Sequence, residues 1–147
     1  MPDRTIPADV LERWARDLLV GSGLREDAAA TVATTLVAAS RRGVDSHGVA
    51  RVPIYAQRLR AGLVNGDPHP AVVQRHGATE LVDGDHGPGQ VAGVYATHPR
   101  RGPTRCSFPA NRRRAQERRD REGIPLSAVL ADALVMLSSE VGVTPPG

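Results

Sequence analysis

Arg-Gly-Val-Asp-Ser-His-Gly-Val-Ala-Arg-Val-Pro-Ile-Tyr, residues 42–55, is the stretch around which the rest of the sequence is arranged. It brings together the hydroxyl of Ser46, the imidazole of His47, the guanidinium of Arg51 and the phenol of Tyr55, a suitable lining for an anionic substrate. On one continuous helix, His47, Arg51 and Tyr55 would recur every four residues and share a face.

Pro53 argues against one continuous helix, because proline donates no backbone hydrogen bond and is best tolerated in a first turn. The regular helix is therefore predicted to start near Pro53, which leaves His47 on the approach loop. The residues alone also allow a glycine-bounded turn with an N-capping Ser46 and a surface histidine.

The flanking patterns predict a mostly helical α+β fold in which the N-terminal helices and a C-terminal helix pack together, with a short β-hairpin. Helices are expected where apolar residues recur on one face and a glycine follows the end. The predicted elements are helices 7–20, 26–41 and 53–61, a hairpin 71–83 and a glycine loop 84–89.

The composition sets further limits on the 147-residue chain, which suits one domain. The single cysteine, Cys106, excludes an internal disulfide and a cysteine zinc cluster. No apolar run approaches the roughly 20 residues of a membrane span, and no signal peptide opens the chain, so a cytoplasmic protein is expected. No metal site is predicted, because no metal-ligand spacing links the histidines His69, His76, His86 and His98.

The positive charge is concentrated in residues 98–121, which hold nine of the arginines and two acidic residues. The run Arg112–Arg121 could contact nucleic acid phosphates. Glu117, Asp120 and Glu122 interleave with it, however, and Phe108 is the only aromatic residue nearby. A solvated helix face is the favoured interpretation, and an Arg-rich nucleic-acid binder is the least favoured function.

The motif RGVDSHG at 42–48, continued by Arg51, Pro53, Tyr55, Leu59 and Ala61-Gly62, resembles the malate/L-lactate dehydrogenase family. These are NAD(P)-dependent 2-oxoacid reductases outside the Rossmann fold, and they include ureidoglycolate, sulfolactate and diketogulonate reductases. The sequence VDGDHGPGQ at 82–90 resembles the Asp-Gly-Asp…Gly…Gly-Gln signature of the same family. The resemblance extends from about Ala8 to Thr97.

The resemblance implies an oxidoreductase that interconverts small 2-hydroxy and 2-oxo acids with NAD or NADP, and a homodimer or other homo-oligomer. It implies that His47 is the acid/base, that Ser46 orients its imidazole, that Arg51 binds the substrate carboxylate and that Tyr55 lines the pocket. Its candidates for contacting the cofactor are Gly84, Gly87, Gly89 and Gln90, although their spacing matches neither standard nucleotide fingerprint.

The resemblance breaks off after Thr97, where family members continue into a central domain that holds the dinucleotide. Residues 98–110 are rich in proline and arginine and are predicted to be irregular. Residues 111–147 resemble the family's C-terminal end, with Gly-Ile-Pro-Leu at 123–126 and a helix capped by Ser127.

A chain without the central domain is expected to be truncated and not to bind NADH or NADPH alone, which leaves its activity open. Three functions stay open: a reductase completed by another polypeptide or subunit, a non-catalytic helical remnant or dimerisation module, and the nucleic-acid binder.

Overall fold

The structure, a computed structural model, describes residues 4–77, 79–97 and 110–147. Its helices are α1 (Ala8–Gly21), α2 (Glu26–Arg41), α3 (Val52–Arg60), α4 (Gly89–Thr97), α5 (Ala110–Glu122) and α6 (Ala128–Val141). Its strands are β1 (Arg4–Ile6), β2 (Ala71–His76), β3 (Thr79–Asp83) and β4 (Ile124–Leu126). β1 pairs with β4 and β2 with β3, both antiparallel. The predicted mostly helical α+β class is confirmed.

The core forms where α1 packs lengthwise on α2 and α6 closes over α1 and α3. The apolar stripes of α1 and α2 supply most of the buried side chains, which are mainly leucine, valine and alanine. Leu134 and Leu137 of α6 are buried in the same cluster. The predicted packing of the C-terminal helix against the N-terminal helices is therefore confirmed.

A buried hydrogen bond fixes α6 on α1. The indole Nε1 of Trp14 donates to Ser138 Oγ at 2.9 Å, and that hydroxyl donates to the Leu134 carbonyl at 2.9 Å. A buried indole N–H needs a partner, because leaving it without one costs about 1–3 kcal/mol. Ser138 thus gives the apolar contact between the two helices one defined geometry.

The pairing of β1 with β4 also joins the two ends of the chain, and the sequence does not predict it. Arg4 lies opposite Leu126, and Ile6 lies opposite Ile124. Gly123, with φ +91°, makes the turn from α5 into β4, where a Cβ would come within 2.9 Å of the Ile6 carbonyl. Only glycine meets both demands.

The β2–β3 hairpin lies away from this core and is largely exposed, with a register shift between Val72 and Gln74. Residues 98–109, including His98, Cys106 and Phe108, lie outside the described residues. Most of the segment predicted to be irregular falls there, while Ala110 begins α5. In the described ranges, no helix is long and apolar enough to cross a membrane.

We expect Ser138→Ala to lower the free energy of unfolding by about 1–3 kcal/mol, because the Trp14 N–H loses its buried acceptor. Ser139→Ala is the matched control, since the exposed Ser139 hydroxyl donates within its own helix, to the Val135 carbonyl. Urea unfolding followed by the fluorescence of the single tryptophan measures both variants. Equal losses in the two variants would contradict the stabilising role of the Trp14–Ser138 bond.

Candidate active site

The segment after α2 consists of two short 3-10 turns, Asp45–His47 and Val49–Arg51, which lead into α3 at Val52. Pro53 occupies the first turn of α3, where its missing N–H has no helical partner to lose. His47, Arg51 and Tyr55 consequently do not lie on one continuous helix. His47 ends the first turn, Arg51 ends the second, and Tyr55 lies on α3.

Ser40, near the end of α2, packs against the segment 45–51 on its buried side. The side chain is 1% exposed, and its Oγ accepts a hydrogen bond from the Val49 N–H at 3.1 Å. Gly48 passes so close that a Cβ there would lie 2.0 Å from Ser40 Oγ. The φ of Gly48, −96°, is open to any residue, so the requirement for glycine is one of space.

Arg119 of α5 also contacts Ser40, and it binds Asp45 at the start of the same segment. Its Nη1 and Nη2 donate to the two carboxylate oxygens of Asp45 at 2.5 and 3.0 Å, and Nη1 also donates to the Ser40 carbonyl. The residue is 8% exposed. The prediction of a solvated face for the Arg112–Arg121 run is therefore wrong at Arg119, since a charge pattern does not show which arginine a tertiary contact buries.

A second ion pair joins α2 to α5 beside the first. Arg41 Nε donates to Asp120 Oδ1 at 2.7 Å. Chiefly through this hydrogen bond, the Arg41 guanidinium holds the pKa of the Asp120 carboxyl below its usual value. Both side chains are partly exposed, so the contribution of this pair to stability is small.

Ser46 connects the two principal candidate residues. Its Oγ lies 3.0 Å from His47 Nδ1, and its carbonyl oxygen accepts a hydrogen bond from Arg51 Nε at 2.9 Å. All three residues are exposed. Within the described part of the chain, no hydrogen bond or ion pair engages His47 Nε2 or the Arg51 Nη atoms. These atoms therefore remain available to a ligand.

Tyr55 has a different neighbour. Its hydroxyl accepts a hydrogen bond from Gln90 Nε2 at 2.9 Å, which ties α3 to the start of α4. The half-buried ring borders a cavity of about 170 Å³, which is lined by Leu19, Leu24, Tyr55, Arg58, Leu59, Val64 and Gly87–Gln90. His47 and Arg51 do not line this cavity. Of the four candidates, Ser46 bonds directly to both His47 and Arg51, whereas Tyr55 is linked through Gln90 to the first turn of α4.

The glycine loop is held by its own polar groups. Asp85 and His86 both have φ +52°, a left-handed conformation that residues other than glycine rarely adopt. The Asp85 carboxylate accepts hydrogen bonds from Asn65 Nδ2 at 2.9 Å and from the His69 N–H at 3.0 Å. These contacts, which the sequence does not reveal, offset the strain in the loop.

Around the glycine loop, the residues that the structure describes do not fit a complete dinucleotide site. The cavity beside Gly89 and Gln90 is smaller than the roughly 300–1,000 Å³ of pockets for larger ligands. At Gly87 a Cβ would lie 2.4 Å from Pro68 Cβ, so this glycine serves packing, and a Cβ at Gly84 would contact Ala92. Two carboxylates, Asp83 and Asp85, accompany the loop and disfavour a pyrophosphate.

We expect Gly48→Ala to destabilise the protein by about 1–3 kcal/mol, because the added methyl group overlaps Ser40. Gly89→Ala is the matched control, since a Cβ at Gly89 meets nothing within 4 Å. Thermal unfolding by circular dichroism compares the two variants. A melting temperature for Gly48→Ala equal to that of the parent would show that the close packing of Gly48 against Ser40 is not needed for stability.

Comparisons with known proteins support the family expectation. The family model for malate/L-lactate dehydrogenase matches residues 6–100. The chain is 40% identical over 88 residues to a malate dehydrogenase from Pyrococcus horikoshii. This match covers 60% of this chain and 24% of that protein. It is 36% identical over 87 residues to an Escherichia coli ureidoglycolate dehydrogenase (NAD(+)), covering 59% of this chain and 25% of that protein.

The solved structures agree with these sequence matches. The Pyrococcus horikoshii malate dehydrogenase structure superposes with a TM-score of 0.59 at 38% identity, covering 63% of this chain and 27% of that one. A sulfolactate dehydrogenase from Methanocaldococcus jannaschii superposes with the same TM-score of 0.59 at 33% identity, with the same coverage of 63% and 27%. The chain thus spans about a quarter of the length of the relatives it matches. Because the family model matches well over half of its residues, the chain belongs to the malate/L-lactate dehydrogenase family.

Proposed function

We propose that Ser46, His47 and Arg51 bind a small 2-oxo or 2-hydroxy acid and exchange a proton with it, as the substrate-holding part of a malate/lactate-type dehydrogenase site. The observation that carries this proposal is the double contact of Ser46. Its hydroxyl positions the imidazole of His47 at 3.0 Å, and its carbonyl positions the guanidinium of Arg51 at 2.9 Å. One residue thus sets a proton-transferring group beside an anion-binding group.

Arg51 is suited to bind the substrate carboxylate. Its Nε is already held by the Ser46 carbonyl, which fixes the plane of the guanidinium. The two Nη groups can then donate a pair of charge-assisted hydrogen bonds to two carboxylate oxygens. Since Arg51 is exposed, we assign this contact about 1.5–3 kcal/mol, which corresponds to weak binding.

His47 is suited to exchange a proton with the neighbouring substrate oxygen. When the imidazole is charged, Nδ1–H donates to Ser46 Oγ, and Nε2–H can give its proton to a carbonyl oxygen that is gaining negative charge. The neutral imidazole that remains still donates Nδ1–H to Ser46 Oγ. Its unprotonated Nε2 can take the proton of the substrate hydroxyl in the reverse reaction. Ser46 Oγ accepts the Nδ1–H hydrogen bond in both protonation states, so the imidazole keeps its orientation while Nε2 gains or loses the proton.

A nicotinamide cofactor belongs to this proposal by resemblance, and one matched relative carries NAD(+) in its name. The described residues do not fit a whole dinucleotide, so we assign cofactor binding to another polypeptide that completes the site. On this proposal, the residues that the structure describes supply the substrate side of the site.

The binding proposal predicts millimolar affinity for pyruvate that depends on Arg51. We expect Arg51→Ala to weaken pyruvate binding at least about tenfold, the effect of losing about 1.4 kcal/mol of charged hydrogen bonding. Arg13→Ala is the charge-matched control, because Arg13 is exposed on α1 and pairs with Asp9. Titrations followed by nuclear magnetic resonance of the labelled backbone amides measure each affinity. Equal pyruvate affinity in Arg51→Ala and the parent would contradict the proposal.

The assignment of the cofactor has its own test. We expect the chain alone to give no saturable enhancement of NADH or NADPH fluorescence, and no NADH oxidation when pyruvate or oxaloacetate is added. His47→Ala is the control for any turnover that is seen. Steady NADH oxidation that His47→Ala abolishes would contradict the cofactor assignment and establish a complete reductase in this chain.

A second candidate function, self-association, is favoured by one face of α6. Val129 and Met136 are 81% and 66% exposed and lie seven residues apart, on the same side of the helix. Arg60 of α3 and Glu140 of α6 form an ion pair beside Met136 at the edge of this face. A two-fold axis could therefore set apolar side chains together and arginine opposite glutamate.

Light scattering of the eluted protein tests self-association. We expect a dimer in the parent and a monomer in Met136→Lys, because a buried lysine at the interface would be unpaired. Val73→Lys is the control, since Val73 is exposed on the hairpin. A parent that stays monomeric at all concentrations would contradict the candidate function.

A further inference from the structure

We propose that Arg119 is a positioning residue for the 2-oxo acid site: by holding the Asp45 carboxylate, it keeps that negative charge away from Arg51. The proposal rests on the function proposed above for Ser46, His47 and Arg51. It assigns a role in substrate binding to a residue of α5, beyond the segment that the family model matches.

The first support is the burial of Arg119. A guanidinium that is 8% exposed has given up most of its contact with water, which is costly unless the charge is paired. Two hydrogen bonds to Asp45 and one to the Ser40 carbonyl compensate for much of this loss, although the buried Nε has no partner among the described residues. The planar fork of arginine fits both carboxylate oxygens at once, which a lysine cannot reproduce.

The second support is the difference in exposure between the two partners. The Asp45 side chain is 58% exposed although its partner is buried, so the carboxylate lies at the surface beside the turn that carries Ser46 and His47. Arg119 holds this carboxylate from the inner side. Without Arg119, the Asp45 carboxylate would be an uncompensated anion next to a site that binds anions.

The consequence is electrostatic. An unpaired Asp45 carboxylate repels the substrate carboxylate, and it can itself pair with the Nη groups of Arg51. In water, two unit charges about 4 Å apart interact by about 1 kcal/mol, which corresponds to about fivefold in affinity. Arg119 therefore acts on substrate affinity through Asp45 and touches neither the substrate nor His47.

The other arginines of α5 provide the contrast. Arg118 precedes Arg119 in the helix but is exposed, and its side chain makes no hydrogen bond or ion pair with the residues that the structure describes. It carries the same charge on the same element, without the burial or the pairing. Arg118→Ala is therefore a matched control for effects of net charge and of helix propensity.

The test compares pyruvate affinity, by amide resonance titration, in the parent and in Arg119→Ala, Arg118→Ala, Arg119→Lys and Arg119→Ala/Asp45→Asn. We expect Arg119→Ala to bind about fivefold more weakly and Arg118→Ala to bind like the parent. Arg119→Lys keeps the charge and is expected to retain most of the affinity. Replacing Asp45 by asparagine in the double variant removes the carboxylate, so affinity is expected to return towards that of the parent.

This rescue separates positioning from a purely structural role. If Arg119→Ala is folded by tryptophan fluorescence and binds like the parent, or if the double variant is as weak as Arg119→Ala, the proposal is overturned. Should Arg119→Ala fail to fold, the double variant Arg119→Lys/Asp45→Asn is compared with Arg119→Lys instead. We expect the double variant to bind pyruvate at least as tightly as Arg119→Lys. Weaker pyruvate binding by the double variant would overturn the proposal.

Failure of the underlying function gives a different result. In that case pyruvate does not bind the parent, or binds Arg51→Ala equally well. The positioning role is then tested without ligand, by comparing the amide resonances of residues 45–51 in each variant with those of the parent. We expect them to shift in Arg119→Ala and to stay unchanged in Arg118→Ala, and resonances that are unchanged in both variants would overturn the proposal.

Discussion

The buried end of α2 at Ser40 is the constraint on which the candidate site depends. The Ser40 hydroxyl accepts the Val49 N–H and leaves room only for glycine at position 48, while its carbonyl accepts a hydrogen bond from Arg119. Arg119 in turn needs a carboxylate, because a buried guanidinium is unfavourable without one, and Asp45 supplies it. The course of the segment from Asp45 to Arg51 is thereby set by contacts from both ends of the chain. The exposed atoms of His47 and Arg51 are presented on this rigid support.

Contacts between the two ends of the chain also hold together the helices that support the site. α6 covers α1 through apolar burial and the Trp14–Ser138 hydrogen bond, and β4 pairs with β1. These contacts bring α5, which directly precedes β4 in the sequence, against the end of α2. Arg119 can reach Asp45 only because this closure places α5 there. Packing far from the site and charge pairing within it are therefore linked.

The sequence predicts those features that local rules govern. Apolar periodicity predicts α1, α2 and α6, and the restrictions on proline place the start of the regular helix near Pro53 rather than at Ser46. The fold class follows from these patterns and is confirmed. The family is likewise confirmed, because the motif at 42–48 is specific enough to be found without a structure.

Features that arise from distant contacts were not predictable in this way. β1 and β4 have three residues each, too few for a periodic signal, and they lie at opposite ends of the chain. Arg119 belongs to a run of arginines in which nothing local distinguishes the buried one from its exposed neighbours. The hydrogen bond from Gln90 to Tyr55 depends on how α4 meets α3, and the left-handed Asp85 and His86 depend on bonds from Asn65 and His69. Roles for Ser46, His47, Arg51 and Tyr55 stay predictions from the family motif.

The central claim is that Arg51 binds the carboxylate of a 2-oxo acid while His47 faces its carbonyl oxygen. A crystal structure with oxamate, an unreactive analogue of pyruvate, tests it most directly. We expect the oxamate carboxylate to accept hydrogen bonds from the Arg51 Nη atoms, with the amide oxygen within about 3.2 Å of His47 Nε2. Oxamate bound in the cavity beside Tyr55 and Arg58, without contact to His47 and Arg51, would contradict the claim.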